Sequence, residues 1–121
     1  MTARELNSLL RVWQERLGLS EWVIYIRQCK PQDLATYDTR FENYAECNWS
    51  TETREAWIGI VAARYHAGHR DPRVVNESIV HELMHIALEG HKPLTGKYRY
   101  DANYEYGLNK LASAIVRAYG L

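Results

Sequence analysis

The segment His81-Glu82-Leu83-Met84-His85 constrains the fold of this chain more than any other feature. Apolar residues flank it on both sides, so it predicts a helix that is apolar nearly all round and therefore buried. Its two histidines lie on one face of such a helix, where both imidazoles can reach a single ion. Three ionisable groups in an apolar helix need a partner, and a metal ion supplies one. This HExxH motif therefore predicts a zinc site suited to hydrolysis.

Length and charge limit what the chain can be. Its 121 residues predict one domain, over residues 1–121, with room for a core but not for a separate substrate domain. The formal net charge is zero and basic residues are scattered among acidic ones, so no nucleic-acid partner is expected. Met1 is followed by a polar segment, and no stretch approaches the roughly 18 apolar residues of a membrane span. We therefore expect a cytoplasmic protein without a membrane partner.

The first half of the chain predicts a helix followed by a strand. The capping box Thr2-Ala3-Arg4-Glu5 opens the helix, and apolar residues at helical spacing continue it to Gly18. Aromatic and β-branched residues from Trp22 to Ile26 predict a buried strand. Cys29 and Cys47 do not form a Cys-x-x-Cys pair, so we interpret both as small buried strand residues and expect neither a disulfide framework nor a thiolate zinc site.

The second half predicts a hairpin and two helices. The segments Phe41 to Trp49 and Ala56 to Ala63 form the two strands, joined by a polar turn. Asp71-Pro72 opens the motif helix, and Gly90 closes it. A last helix is expected from about Ala102 to Tyr119. Its predicted inward-facing residues are Leu108, Leu111, Ala112, Ile115 and Val116. The order α-β-β-β-α-α predicts an α+β fold in which helices cover one face of a small, mainly antiparallel sheet.

A catalytic zinc site normally has three protein ligands, and three residues compete to be the third. Glu105 lies near the start of the last helix, in phase with its apolar positions, where an acid needs a positive partner. His91 follows His85 at the spacing of metzincins, but that class has glycine where Leu88 stands here. Glu89 lies one turn after His85 and is expected to belong to the solvated end of the helix.

The combination of His81-Glu82-x-x-His85 with Glu105 twenty residues later resembles the gluzincin metallopeptidases. In length the chain is similar to the minigluzincins and to related short phage or prophage metallopeptidases. The resemblance covers the segment from Phe41 to the last helix. It implies a zincin-like catalytic core, zinc held by His81, His85 and Glu105, and a peptide or protein substrate. Glu82 is then the general base that activates a zinc-bound water.

The resemblance carries two further implications. In the thermolysin pattern an aspartate, one helical turn after the glutamate ligand, orients a histidine ligand. Asn109 occupies that position here, and its amide oxygen could accept the imidazole N–H without supplying a charge. An edge strand just upstream of the motif helix binds substrate as an added β-strand in zincins, and this implies the segment Trp57 to Ala63 here.

The sequence leaves other functions and roles open. His81, His85 and His91 would form a three-histidine zinc site acting on RNA, which the neutral charge disfavours. A non-enzymatic domain would hold a structural zinc through four protein ligands, or hold no metal. His66 and His69 are interpreted as loop residues rather than a second metal site. The candidates for stabilising an oxyanion are Tyr98, Tyr100, Tyr104, Tyr106, His66 and His69.

Overall fold

A computed structural model describes residues 1–35, 44–91 and 101–121. Within these residues the helices are α1 (Ala3–Arg16), α2 (Pro72–Glu89) and α3 (Ala102–Ala118), and the strands are β1 (Val23–Cys29), β2 (Ala45–Ser50) and β3 (Glu55–Val61). Two short 3₁₀ turns, Pro31–Asp33 and Ala67–Arg70, join some of them. The order of helices and strands is the predicted one, and the α+β class is confirmed. The start predicted for the hairpin, residues 41–43, lies outside the described residues.

Capping residues fix the ends of the helices. The Thr2 hydroxyl accepts the Glu5 N–H while the Glu5 carboxylate accepts the Thr2 N–H, which is the predicted capping box. Asp71 opens α2 by accepting the N–H of Arg73. Gly90 ends α2, where an added side chain would collide with the helix backbone one turn earlier. These boundaries place the HExxH motif in the C-terminal half of α2.

The sheet is mixed, so the prediction of a mainly antiparallel sheet is wrong. β3 lies between the other strands, antiparallel to β2 across the hairpin and parallel to β1. The hairpin reverses the chain, so β3 runs in the same direction as β1. The edge of β3 that does not pair with β2 pairs with β1. The central position of β3 also contradicts the expectation that the segment Trp57 to Ala63 is an edge strand. Among the described residues the edges of the sheet are β1 and β2.

The helices cover one face of the sheet, as predicted. The buried core on this face contains Ile24, Ala56, Ile58 and Ile60 from the strands, together with apolar residues of all three helices. On the other face Tyr25 and Trp57 stack with ring centroids 6.1 Å apart, and both are about half exposed. The burial of α2 between the sheet and α3 is what encloses the motif.

One inward-facing prediction for α3 is wrong. Leu108, Ala112 and Val116 are buried at spacings of four residues, and Ile115 packs beside them. Leu111 is 52% exposed, because it lies further round the helix from the centre of the buried stripe than Ile115 does. Cys29 is buried and Cys47 half-buried, both on strands and both without a disulfide. In the described segments we find no helix with the length and apolar character needed to cross a bilayer.

Candidate metal centre

The two motif histidines and Glu105 lie together between α2 and α3. His81 Nε2 lies 2.7 Å from Glu105 Oε2, and His85 Nε2 lies 3.3 Å from Glu105 Oε1. One donor atom from each residue falls within 4.8 Å of the other two. All three side chains are largely buried, with exposed fractions between 10% and 15%. Two imidazole nitrogens and a carboxylate at this spacing are able to bind a metal ion.

The sequence of α3 explains why Glu105 points at the motif. Asp101 caps the helix by accepting the N–H groups of Asn103 and Tyr104, which sets the first turn. Glu105 lies in that turn and in phase with the buried Leu108, so it faces α2 rather than solvent. The predicted inward phase of Glu105 is therefore confirmed.

His91 does not join this group. It lies just beyond the end of α2 and is exposed, whereas the group of donor atoms found in the described part of the chain consists of His81, His85 and Glu105. Gly90, which ends α2, keeps right-handed backbone angles, φ −60° and ψ −16°, so the chain does not turn back towards the motif at that residue. The three-histidine arrangement is therefore not formed in the structure.

Glu82 is buried beside the two histidines, with 6% of its surface exposed. Burial raises the pKa of its carboxyl group to about 7, because an ionised carboxylate is poorly solvated there. The nearby His81 and His85 oppose this rise when they are protonated, and the negative charge of Glu105 adds to it. A carboxyl group that titrates near neutrality can both accept and return a proton at physiological pH.

His85 has a hydrogen-bond partner at each ring nitrogen. Its Nδ1 lies 2.7 Å from Glu89 Oε2, and the Tyr104 hydroxyl donates to the same oxygen over 3.1 Å. Burial is the largest influence on the pKa of His85 and lowers it, but the hydrogen bonds to Glu105 and Glu89 and the charge of Glu82 raise it to about 9. The expectation that Glu89 belongs to the solvated helix end missed this contact. The four-residue spacing between His85 and Glu89 was the available signal.

His81 differs from His85 at Nδ1, the ring nitrogen that does not face Glu105. Its Nδ1 is buried and has no hydrogen-bond partner among the residues that the structure describes. Asn109, whose amide oxygen could have accepted an imidazole N–H, is exposed and does not bond to this nitrogen. Burial, the largest influence, lowers the pKa of His81, but the hydrogen bond to Glu105 and the charge of Glu82 raise it above its ordinary value.

The remaining candidate residues around the site have other contacts. His69 is buried, with Nδ1 2.6 Å from the Val61 carbonyl oxygen and Nε2 3.0 Å from the Ser78 hydroxyl, so it joins β3 to α2. His66 stacks on Tyr44 with ring centroids 3.5 Å apart. Among the tyrosines considered as oxyanion donors, Tyr104 packs edge-on against His85, Tyr106 is 62% exposed, and Tyr98 and Tyr100 lie outside the described residues.

Comparisons with protein-family models, with curated proteins and with solved structures found no match to this chain. The function is therefore inferred from His81, His85 and Glu105 themselves. Imidazole suits zinc, copper, iron and nickel, and two histidines with one glutamate are a known ligand set of catalytic zinc. The Nε2 atoms of both histidines face the Glu105 carboxylate, so the three side chains offer their ligand atoms to one place.

Proposed function

We propose that this protein is a zinc-dependent hydrolase of peptide bonds, with His81, His85 and Glu105 as the metal ligands. The observation that carries the proposal is that both Nε2 atoms of the motif face the carboxylate of Glu105, with Glu82 buried beside them. A structural zinc site closes with four protein ligands, whereas the described residues supply a group of three. Three protein ligands are typical of a site that leaves room for water or substrate.

Each residue has a distinct part in this mechanism. When bound, zinc would acidify a water molecule and polarise the carbonyl of the scissile bond. The Glu82 carboxylate would accept a proton from the attacking water and return it to the leaving amine. His85 would keep its proton on Nδ1, facing Glu89, and offer Nε2 as the ligand atom.

The shape of the sheet favours an extended peptide as the substrate. Among the described residues β2 pairs with β3 along one side only, and α2 packs beneath these strands. An extended chain could therefore add to the outer side of β2 through backbone hydrogen bonds. The neutral net charge does not favour a polyanionic substrate such as RNA. On this proposal the chain has a zincin-like core of the short, phage-type gluzincin kind.

Glu82→Gln tests this function. The purified protein is loaded with zinc, its metal content is measured, and hydrolysis of a mixture of fluorogenic peptides is followed. We expect the variant to keep zinc while turnover falls by roughly 10²–10⁴, the usual range for loss of acid–base catalysis. The matched control is Glu77→Gln, on the same helix but at its solvent side, where Glu77 pairs with Arg73. Full turnover by Glu82→Gln, or a wild-type protein without zinc, would refute the proposal.

A further inference from the structure

Glu89 accepts two hydrogen bonds on a single carboxylate oxygen. The His85 N–H reaches Oε2 over 2.7 Å and the Tyr104 O–H reaches it over 3.1 Å. We propose that Glu89 is a positioning residue that fixes the tautomer and the ring orientation of His85, and that Tyr104 holds Glu89 in place for this task. This inference rests on the proposed function, because it assigns His85 to the metal.

Geometry separates this role from that of a metal ligand. Glu105 faces His85 Nε2, whereas Glu89 faces Nδ1 of the same ring. The two nitrogens of an imidazole point in different directions, so the two carboxylates lie on different sides of the ring. Glu89 is accordingly absent from the donor group formed by Glu105 and the motif histidines. A carboxylate at the outer nitrogen selects the tautomer with Nδ1–H and makes Nε2 the more basic ligand atom.

Tyr104 connects this contact to the ligand on α3. It directly precedes Glu105 in the first turn of that helix, and its ring packs edge-on against His85 with centroids 5.8 Å apart. One turn of α3 therefore supplies both the carboxylate at Nε2 and the hydroxyl that holds Glu89. These contacts join α2 and α3 at the site.

Glu89 positions only one of the two motif histidines. His81 Nδ1 has no hydrogen-bond partner in the described part of the chain, so the contact from Glu89 acts on His85 alone. Removing the Glu89 carboxylate should therefore affect one ligand while the contact between His81 and Glu105 stays intact. Loss of such a partner weakens metal binding by about 10–100-fold in general.

Zinc affinity, measured by competition with a chromophoric chelator, tests the inference without using enzyme activity. We expect Glu89→Ala to weaken binding by about 10–100-fold, Glu89→Gln by less, and Tyr104→Phe by the least. Glu77→Gln is the control on the same helix and should bind like wild type. Nitrogen chemical shifts of His85 in the zinc-loaded protein should report the Nδ1–H tautomer in wild type and a weakened hydrogen bond in Glu89→Gln.

The outcomes separate the two proposals. If wild type binds zinc and both Glu89 variants bind it equally tightly, the positioning role is refuted while the metal site stands. If wild type does not bind zinc, both proposals fail. If zinc binds but peptides are not hydrolysed, the affinities still decide the role of Glu89. Should Glu89→Ala fail to fold, the nearly isosteric Glu89→Gln and Tyr104→Phe still give a result, and an unchanged affinity and His85 signal in both would refute the role.

Discussion

Two pairs of closely spaced histidines have different bonding partners in this molecule. His66 and His69 flank and occupy a short 3₁₀ turn, whereas His81 and His85 lie one turn apart on α2. The second pair directs both Nε2 atoms at Glu105. In the first pair, His69 instead directs its two nitrogens at a backbone carbonyl and a hydroxyl.

Burial does not distinguish His69 from the two motif histidines. The exposed fraction is 6% for His69 and 8% for each of His81 and His85, yet the pKa of His69 is lowered while those of the motif histidines are raised. Burial lowers the pKa in all three, and only the motif histidines have carboxylates that outweigh it. The chemistry of the partner, rather than the depth of burial, decides whether a buried histidine remains available to a metal.

Substitutions in the two pairs give the largest predicted difference in zinc affinity. His81→Ala and His85→Ala each remove a proposed ligand, so zinc affinity should fall by more than the roughly 10–100-fold caused by loss of a ligand's hydrogen-bond partner. His69→Gln should leave the affinity unchanged, because both His69 nitrogens bond within the fold. Chelator competition measures all three variants. An equal loss of affinity in His69→Gln would mean that the two pairs are not functionally separate.

Substitutions of Glu105 and His91 test which of these two residues is the third metal ligand. Glu105→Ala should weaken zinc binding by at least about tenfold, since a two-histidine site holds the ion poorly. His91→Ala should barely change it, because His91 is exposed and outside the donor group. A metal titration gives the ranking. The opposite order would contradict the gluzincin assignment and favour the three-histidine alternative.

Removal of the metal should be visible in thermal stability, because the proposed ligands come from two helices. An ion that binds only the folded state stabilises it by about 2.7 kcal/mol at a free concentration near 100 times its Kd. A chelator should therefore lower the Tm of the zinc-loaded protein by several degrees. Glu105→Ala removes the proposed ligand on α3, so a metal would no longer join the two helices and the Tm of the variant should respond much less to the chelator. An unchanged wild-type Tm after proven zinc removal would count against a bridging site.

Local signals in the sequence were sufficient for much of this architecture. The capping box at Thr2, the Asp71-Pro72 start of α2 and the closing Gly90 are short-range patterns, and the structure follows each of them. The inward phase of Glu105 could be read from its spacing to Leu108, because a helix fixes which residues share a face.

The pairing of strands distant in the sequence could not be predicted from such local signals. Nothing local to β1 specifies that it pairs with β3 rather than with β2, and this choice made the sheet mixed. The contact between Glu89 and His85 was missed although its four-residue spacing on one helix is a local signal. That Glu105 meets the other nitrogen of the His85 ring depends instead on how α3 packs against α2. Leu111 and Leu108 are equally apolar, so composition alone could not separate the buried from the exposed leucine.

The smallest predicted effect concerns the stability that His69 contributes. The Val61 carbonyl oxygen can only accept, so the His69 Nδ1–H donates to it. Burial lowers the pKa of His69, so the ring is neutral at pH 8 and Nε2 accepts the Ser78 O–H. The substitution removes the imidazole that bonds to both partners. His69→Gln should therefore lower the free energy of unfolding at pH 8 by about 1–3 kcal/mol, the usual cost of leaving a buried polar group unpaired. Denaturation with urea, with both proteins metal-free, measures this difference.

The pH dependence of that difference tests the assigned protonation state. Burial lowers the pKa of His69 below its ordinary value of 6.5, the nearby His66 adds to this, and the hydrogen bond to Val61 partly opposes it. The unfolded chain therefore takes up its proton first as the pH falls, so the stabilising contribution of neutral His69 is complete above about pH 6.5 and is lost below it. The gap between wild type and His69→Gln should shrink from pH 8 to pH 5, while the contributions of His81 and His85 cancel because both proteins contain them. A gap that widens as the pH falls would mean that His69 is stabilised in its charged form.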